Sequence, residues 1–204
     1  MAIKFIILSA TGAGNWTVPN DWNSKNNTIH LFGAGGNNYG GGGGYTRINA
    51  FSAIPGSSIS YYVGAGVASS DGEDTTFASG VYVAGGGKRS TGIGILGAGG
   101  IGGTFNGGFG RGAGSGAAGG AAGPNGNGQD APDNNTSGAG DAGFGGASVI
   151  NGGLGNPGTN LFGVGAGSGA QGGSLEGGAF GGGGGSLFAR GGHGGIVIQY
   201  DTTT

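Results

Sequence analysis

Cysteine is absent from the 204 residues, so disulfide stapling and thiolate metal ligation are both excluded and some other force must order the chain. Charge is also scarce. Asp, Glu, Lys and Arg make up 8% of the sequence, with 7 basic and 9 acidic residues and a formal net charge of −2. So thin a scatter of basic residues leaves no electrostatic footprint for a phosphate backbone, and no nucleic-acid partner is expected. Proline numbers 5 against 62 glycines, and no strict Gly-X-Y period runs through the chain, which excludes a collagen triple helix. No apolar run approaches the ~20 residues of a membrane span. The start, Lys4 followed by Phe5-Ile6-Ile7-Leu8, is too short an apolar run for a signal peptide and reads as a first strand. Helix signals are missing as well. No window sustains apolar residues at i, i+3, i+4 and i+7, and each interior glycine costs a helix about 1 kcal/mol relative to alanine.

What is present is period-two patterning at both ends of the chain. Residues 1–87 form a β-rich framework. Ile3, Phe5 and Ile7 are expected on one buried face of a first strand, followed by strand-like runs at 28–32 and 45–51. Ile54-Pro55-Gly56 reads as a turn; Ile59, Tyr61 and Val63 then alternate with Ser58, Ser60 and Tyr62, and Phe77, Val81 and Val83 make a further strand. Residues 193–204 hold a closing strand, with Ile196, Ile198 and Tyr200 alternating against Val197 and Gln199. Patterning of this kind argues against the disorder that so glycine-rich a composition otherwise implies.

Residues 88–192 are glycine interrupted by single large side chains, as in Gly99-Gly100-Ile101-Gly102-Gly103 and Gly107-Gly108-Phe109-Gly110. A polyproline-II helix has three residues per turn and no internal hydrogen bonds, so its backbone groups are free to bond sideways. Where two of three residues lack Cβ, neighbouring helices can come close enough to satisfy one another. The expected fold class is therefore all-β, a small antiparallel framework of N-terminal strands and the C-terminal strand, with an inserted polyglycine-II-type bundle and essentially no α-helix. Gly123-Pro124-Asn125-Gly126 and Gly155-Asn156-Pro157-Gly158 carry turn chemistry and would reverse direction within the bundle.

Several stretches also resemble a known family. Trp16-Thr17-Val18-Pro19-Asn20-Asp21-Trp22-Asn23, then Ile29-His30-Leu31-Phe32-Gly33-Ala34-Gly35-Gly36 ahead of a glycine run and Tyr45, resemble the opening of the glycine-rich domain of bacteriophage tail-fibre and tail-tip proteins. Tyr61-Tyr62-Val63-Gly64-Ala65-Gly66, Asp71-Gly72-Glu73-Asp74-Thr75-Thr76-Phe77 and Gly191-Gly192-His193-Gly194-Gly195-Ile196-Val197-Ile198-Gln199-Tyr200 are similar to its later landmarks. The resemblance implies a virion protein at the extracellular tip of a tail fibre. It would be an adhesin binding a bacterial outer-surface protein or glycan through loops on glycine helices, joined to a tail-fibre or tail-tip protein, with a homotrimer as one possible assembly. With Met1 just ahead of the first strand, it implies a separate tip subunit. A structural virion or filament subunit without receptor binding is the alternative.

The remaining motifs offer little chemistry. Gly92-Ile93-Gly94-Ile95-Leu96-Gly97 matches a dinucleotide fingerprint, but such spacing arises about five times by chance at this glycine content and no helix follows, so no cofactor is expected. Residues 125–130, and Asp71 with Glu73 and Asp74, are oxygen-rich but read as Asx turns rather than metal sites. Asp71/Asp74 and Asp130/Asp133 are candidate carboxylate pairs for glycoside cleavage, but in polar turns they read as surface charge. His30 and His193 fill a strand or a backbone niche, and the chain is expected not to be an enzyme. Candidate receptor contacts are residues beside turns in the glycine zone: Phe105, Asn106, Phe109, Asn125, Asn127, Asp130, Asp133, Asn134, Asn135, Asn160 and Phe162. Residues 125–137, the longest polar interruption, are the main candidate surface. Trp16 and Trp22 are expected to cap the β core, with docking to a fibre as their alternative use.

Overall fold

A computed structural model describes residues 2–91, 96–111, 117–131, 180–182 and 190–202. Among them there is no helix, and ten strands run in chain order: β1 (Ile3–Leu8), β2 (Gly12–Thr17), β3 (Asn27–Phe32), β4 (Tyr45–Asn49), β5 (Ser58–Val63), β6 (Thr75–Phe77), β7 (Tyr82–Ala84), β8 (Leu96–Gly97), β9 (Gly110–Arg111) and β10 (Gly195–Asp201). They form a sheet ordered β1-β10-β3-β4, a sheet ordered β2-β5-β6-β7 and a short β8-β9 pair. All named pairings are antiparallel. The closing strand does return to the framework, and it inserts between β1 and β3 rather than adding at an edge.

The two larger sheets enclose one apolar core. Ile29, Leu31, Ile48, Ile196, Ile198 and Tyr200 from the first sheet meet Trp16, Val63, Phe77 and Ala84 from the second, with Val18 and Trp22 from the β2–β3 connection. Strands β3, β4, β5 and β10 follow the expected alternation, but β1 reverses it. Ile6 and Leu8 pack against the core, whereas Ile3, Phe5 and Ile7 are 59%, 46% and 48% exposed. The run Phe5-Ile6-Ile7-Leu8 is apolar in both phases, and Lys4 hid the inward one: it starts the core-facing row at the rim, where its ammonium pairs with Asp21 at 2.6 Å. The expected strand through Phe77, Val81 and Val83 is two strands, β6 and β7. Ala78, Ser79 and Gly80 all take positive φ between them, and Val81 is left 73% exposed.

The other face of the first sheet is covered in part by the glycine zone. Phe32, Tyr45 and Val197 form a second buried cluster with Ala121, Ala122 and Phe180, and Phe105 packs against it. Phe105 stacks on Tyr45 with planes 16° apart, and Phe180 meets Phe32 edge-on at 5.2 Å. These phenylalanines fill the join between framework and glycine segments.

Away from the strands, glycine segments bond to one another through the backbone, and residues 40–44 are the hub. Gly41 and Gly44 donate to the carbonyls of Lys88 and Gly85 on one neighbouring segment, Gly42 to Gly108 and Gly43 to Gly181. Carbonyls of the hub accept from three further segments: Gly40 and Gly43 from Gly119 and Ala122, Gly41 and Gly44 from Gly36 and Gly33, and Gly42 from Gly100. These bonds span 2.8–3.0 Å, and where a neighbour is met twice it recurs after three residues. A sheet strand has two neighbours and a period of two. The network thus begins at Gly33, well inside the stretch that patterning assigns to the framework.

Two glycines separate the steric and conformational demands of this arrangement. In the Ile54-Pro55-Gly56-Ser57 turn, Ser57 N–H donates to the Ile54 carbonyl at 3.0 Å, and Gly56 has φ +80 with open space where a Cβ would be. That is a type II turn with Pro and Gly in their preferred places. A Cβ on Gly42 would instead collide with the Gly120 carbonyl, which is backbone and cannot swing aside. We expect Gly56→Ala to cost about 1 kcal/mol in urea unfolding, the left-handed penalty of an L-residue. Gly42→Ala should cost about 3 kcal/mol or more, because a segment of the network must shift. Equal costs would contradict the close packing of the hub.

Candidate functional site

The turn and segment ends of the glycine network carry the described candidate residues. Gly123 and Gly126 exchange both backbone hydrogen bonds, at 3.1 and 3.2 Å, around Pro124 and Asn125, which places the expected turn and leaves Asn125 exposed. From there residues 127–131 run beside 106–111. Gly128 N–H donates to Asn106 O at 2.9 Å and Ala131 N–H to Phe109 O at 2.8 Å. Between these backbone bonds, side chains complete the edge. Asn127 Oδ1 accepts from Asn106 N–H and Asp130 Oδ1 from Phe109 N–H, both at 2.8 Å, and Asn106 Oδ1 accepts from Gly102 N–H at 3.0 Å. The spacing of three on one segment matches the spacing of three on the other. Side-chain oxygens here take the place that carbonyls hold elsewhere in the described network.

Asn106, Phe109, Asn127 and Asp130 therefore lie together as an exposed strip, with Phe109 44% exposed. Each polar member keeps one atom for an outside partner: the Nδ2 groups of Asn106 and Asn127 and Oδ2 of Asp130 have no partner among the described residues. Phe105 is set apart from the strip, half-buried against Tyr45. Asp133, Asn134, Asn135, Asn160 and Phe162 lie outside the described residues. Trp16 and Trp22 are core residues, 5% and 3% exposed, meeting edge-to-face at 5.1 Å. A fibre docking there would find neither indole at the surface.

The acidic residues Asp71, Glu73 and Asp74 accept backbone hydrogen bonds in the same way as Asp130. Asp74 Oδ1 accepts from Gly86 N–H at 2.8 Å, Asp71 Oδ1 from Arg89 N–H at 2.9 Å, and Glu73 Oε2 from Ala65 N–H and the Tyr62 hydroxyl. The Glu73 carboxylate holds that phenol above its ordinary pKa. The described residues hold no cluster of three or more His, Asp or Glu side chains that could bind a metal. His193 Nδ1 accepts from Gly66 N–H at 3.0 Å, a backbone niche. His30 is buried with Nδ1 2.6 Å from the Tyr45 hydroxyl. Burial, and then the charge of Arg47, pushes its pKa down to about 4. Neither family models nor curated proteins match this sequence.

Two measurements check this geometry. Removing one edge cap exposes an unsatisfied N–H, so Asp130→Ala should lose about 1 kcal/mol although the residue is exposed, while Asp130→Asn, which keeps an acceptor, should lose little. Urea unfolding of the pair reads the difference, and an unchanged midpoint for Asp130→Ala would mean that the cap is ornamental. For His30, the fold holds the neutral ring. Its contribution is fully present above the ordinary value of 6.5 and is lost as the pH falls toward 4, because the unfolded chain takes up the proton first. Stability measured across that window should decline in the wild type and decline less in His30→Gln; identical slopes would assign the loss to other groups.

Proposed function

We propose that this chain is a non-enzymatic adhesin at the tip of a bacteriophage tail fibre, binding a protein or glycan on the outer surface of a bacterial cell. The observation that carries the reading is the bonding of residues 40–44 to six neighbouring segments with a three-residue recurrence. We read that hub as the centre of a polyglycine-II bundle, since only a three-fold backbone with free amides and carbonyls can bond sideways in so many directions. Such a bundle is locked from every side. It leaves side chains only at its perimeter and at its turns, where Asn106, Phe109, Asn127 and Asp130 supply amides, a carboxylate and an aromatic ring.

A rigid scaffold lowers the entropy cost of docking, and a half-exposed aromatic ringed by amides suits a reversible contact with protein or sugar. We assign the principal contacts to residues 125–137, of which Asn127 and Asp130 belong to this strip. The phage assignment draws on the order of the opening and closing motifs, and the extracellular tip position follows from it.

Fluorescently tagged protein, offered to a panel of bacterial strains beside a variant with residues 125–137 replaced by Gly-Ser of equal length, tests the reading. Binding to selected strains by the wild type and loss of it in the folded variant are expected. Binding that survives the replacement would move the contact elsewhere. No binding by folded wild type to any strain that the parent virion infects would favour a structural virion subunit.

A further inference from the structure

At the far end of the first sheet from the glycine network lies a cleft of about 290 Å³. Its floor is a row of polar side chains in direct register across three strands: Gln199 on β10 pairs with Thr28 on β3, which pairs with Asn49 on β4. Lys25, Ala50 and Asp201 also line it. The geometry points to a binding site for one neutral sugar ring in this cleft, a site that goes beyond the proposed tip contact and does not depend on the loops.

Four observations carry this. First, the polar groups are open for use. The amide of Gln199, Asn49 Nδ2, Lys25 Nζ and Asp201 Oδ1 have no partner among the described residues, and the side-chain bonds that Asn49 and Asp201 do accept are long. Thr28 Oγ1 lies 3.4 Å from Asn49 Oδ1, and Asn26 Nδ2 lies 3.4 Å from Asp201 Oδ2. Second, the row mixes donors and acceptors on neighbouring strands, spaced at the ~4.8 Å between strands, which suits hydroxyls on one ring.

Third, part of the lining is braced. The buried Asn27 amide donates to Asn23 O at 2.8 Å and Phe51 O at 3.1 Å, and its Oδ1 accepts from Phe51 N–H at 2.8 Å. That brace holds Ala50 at φ +51, a conformation that costs an alanine energy and that clusters at ligand sites. Fourth, charge and size select the ligand. One ammonium is offset by one carboxylate, so a phosphate or a sialic acid gains nothing. The volume is just under the roughly 300–1,000 Å³ of small-molecule sites, enough for a single ring.

The test uses the full chain labelled with ¹⁵N, titrated with the methyl glycosides of glucose, galactose and N-acetylglucosamine, and separately with inorganic phosphate. The proposal expects saturable shifts of the Gln199 and Asn49 side-chain NH₂ signals with at least one glycoside, unchanged when residues 125–137 are replaced by Gly-Ser. Gln199→Ala and Asn49→Ala should each weaken that binding about tenfold, the scale of one lost hydrogen bond, without lowering the melting temperature. Absence of a saturable shift with all three glycosides overturns the proposal, as does a stronger response to phosphate or a shift undiminished in both variants. Because the wild-type titration reads the cleft directly, a variant that fails to fold does not rescue or sink the idea. Loss of cell binding on replacing the loop, with the titration intact, separates this site from the tip contact.

Discussion

Lateral hydrogen bonding between glycine backbones is the constraint on which the rest depends. A chain with 62 glycines loses more conformational entropy on folding than an ordinary sequence, and it has few side chains with which to offset the loss. Bonds of 2.8–3.0 Å from residues 40–44 to six segments supply order without side chains. The same closeness forbids them: a Cβ at Gly42 has no room beside the Gly120 carbonyl. Glycine is used there for its size more than for its flexibility.

The β framework sets the register of that network. β3 leads straight into Gly33 and the network leads straight back into β4 at Tyr45, so the hub begins as the extension of a hydrogen-bonded strand pair. β10 brings the chain back between β1 and β3, and Gly192 and Gly194 bond to Gly182 and Gly64 on the way. Anchoring both ends of the glycine zone in one sheet shortens the loops that must close and reduces their entropy cost. Along the edge of the described network, side-chain oxygens of Asp74, Asn106, Asn127 and Asp130 accept from backbone amides in place of carbonyls. Scarce charge thereby serves the backbone before it serves the surface.

Much of this was legible before the structure. Strands β3, β4, β5 and β10 follow their alternation because each has one clear apolar face toward the core, and the Ile54-Pro55-Gly56 turn follows from its residue types. β2 was not legible. Its Gly12-Ala13-Gly14 start has no strand propensity, and the end of the Tyr61 ring of β5 lies over Gly14 where a Cβ would be. The phase of β1 was hidden by a run apolar on both sides. The caps were hidden for a different reason. Asn and Asp among glycines signal a turn, and nothing local reveals that Asp130 serves an N–H 21 residues away. The polar floor of Gln199, Thr28 and Asn49 was equally out of reach, because pairing, not sequence proximity, assembles it.

The central claim is that residues 40–44 bond to many neighbours with a period of three. Scalar couplings across hydrogen bonds, measured by NMR between amide nitrogens and carbonyl carbons, test it directly. Couplings from Gly41 to Lys88, Gly42 to Gly108, Gly43 to Gly181 and Gly44 to Gly85 are expected. Couplings from the hub that alternate between only two partner strands, as in a sheet, or amides there that exchange as freely as an unfolded chain, would contradict it.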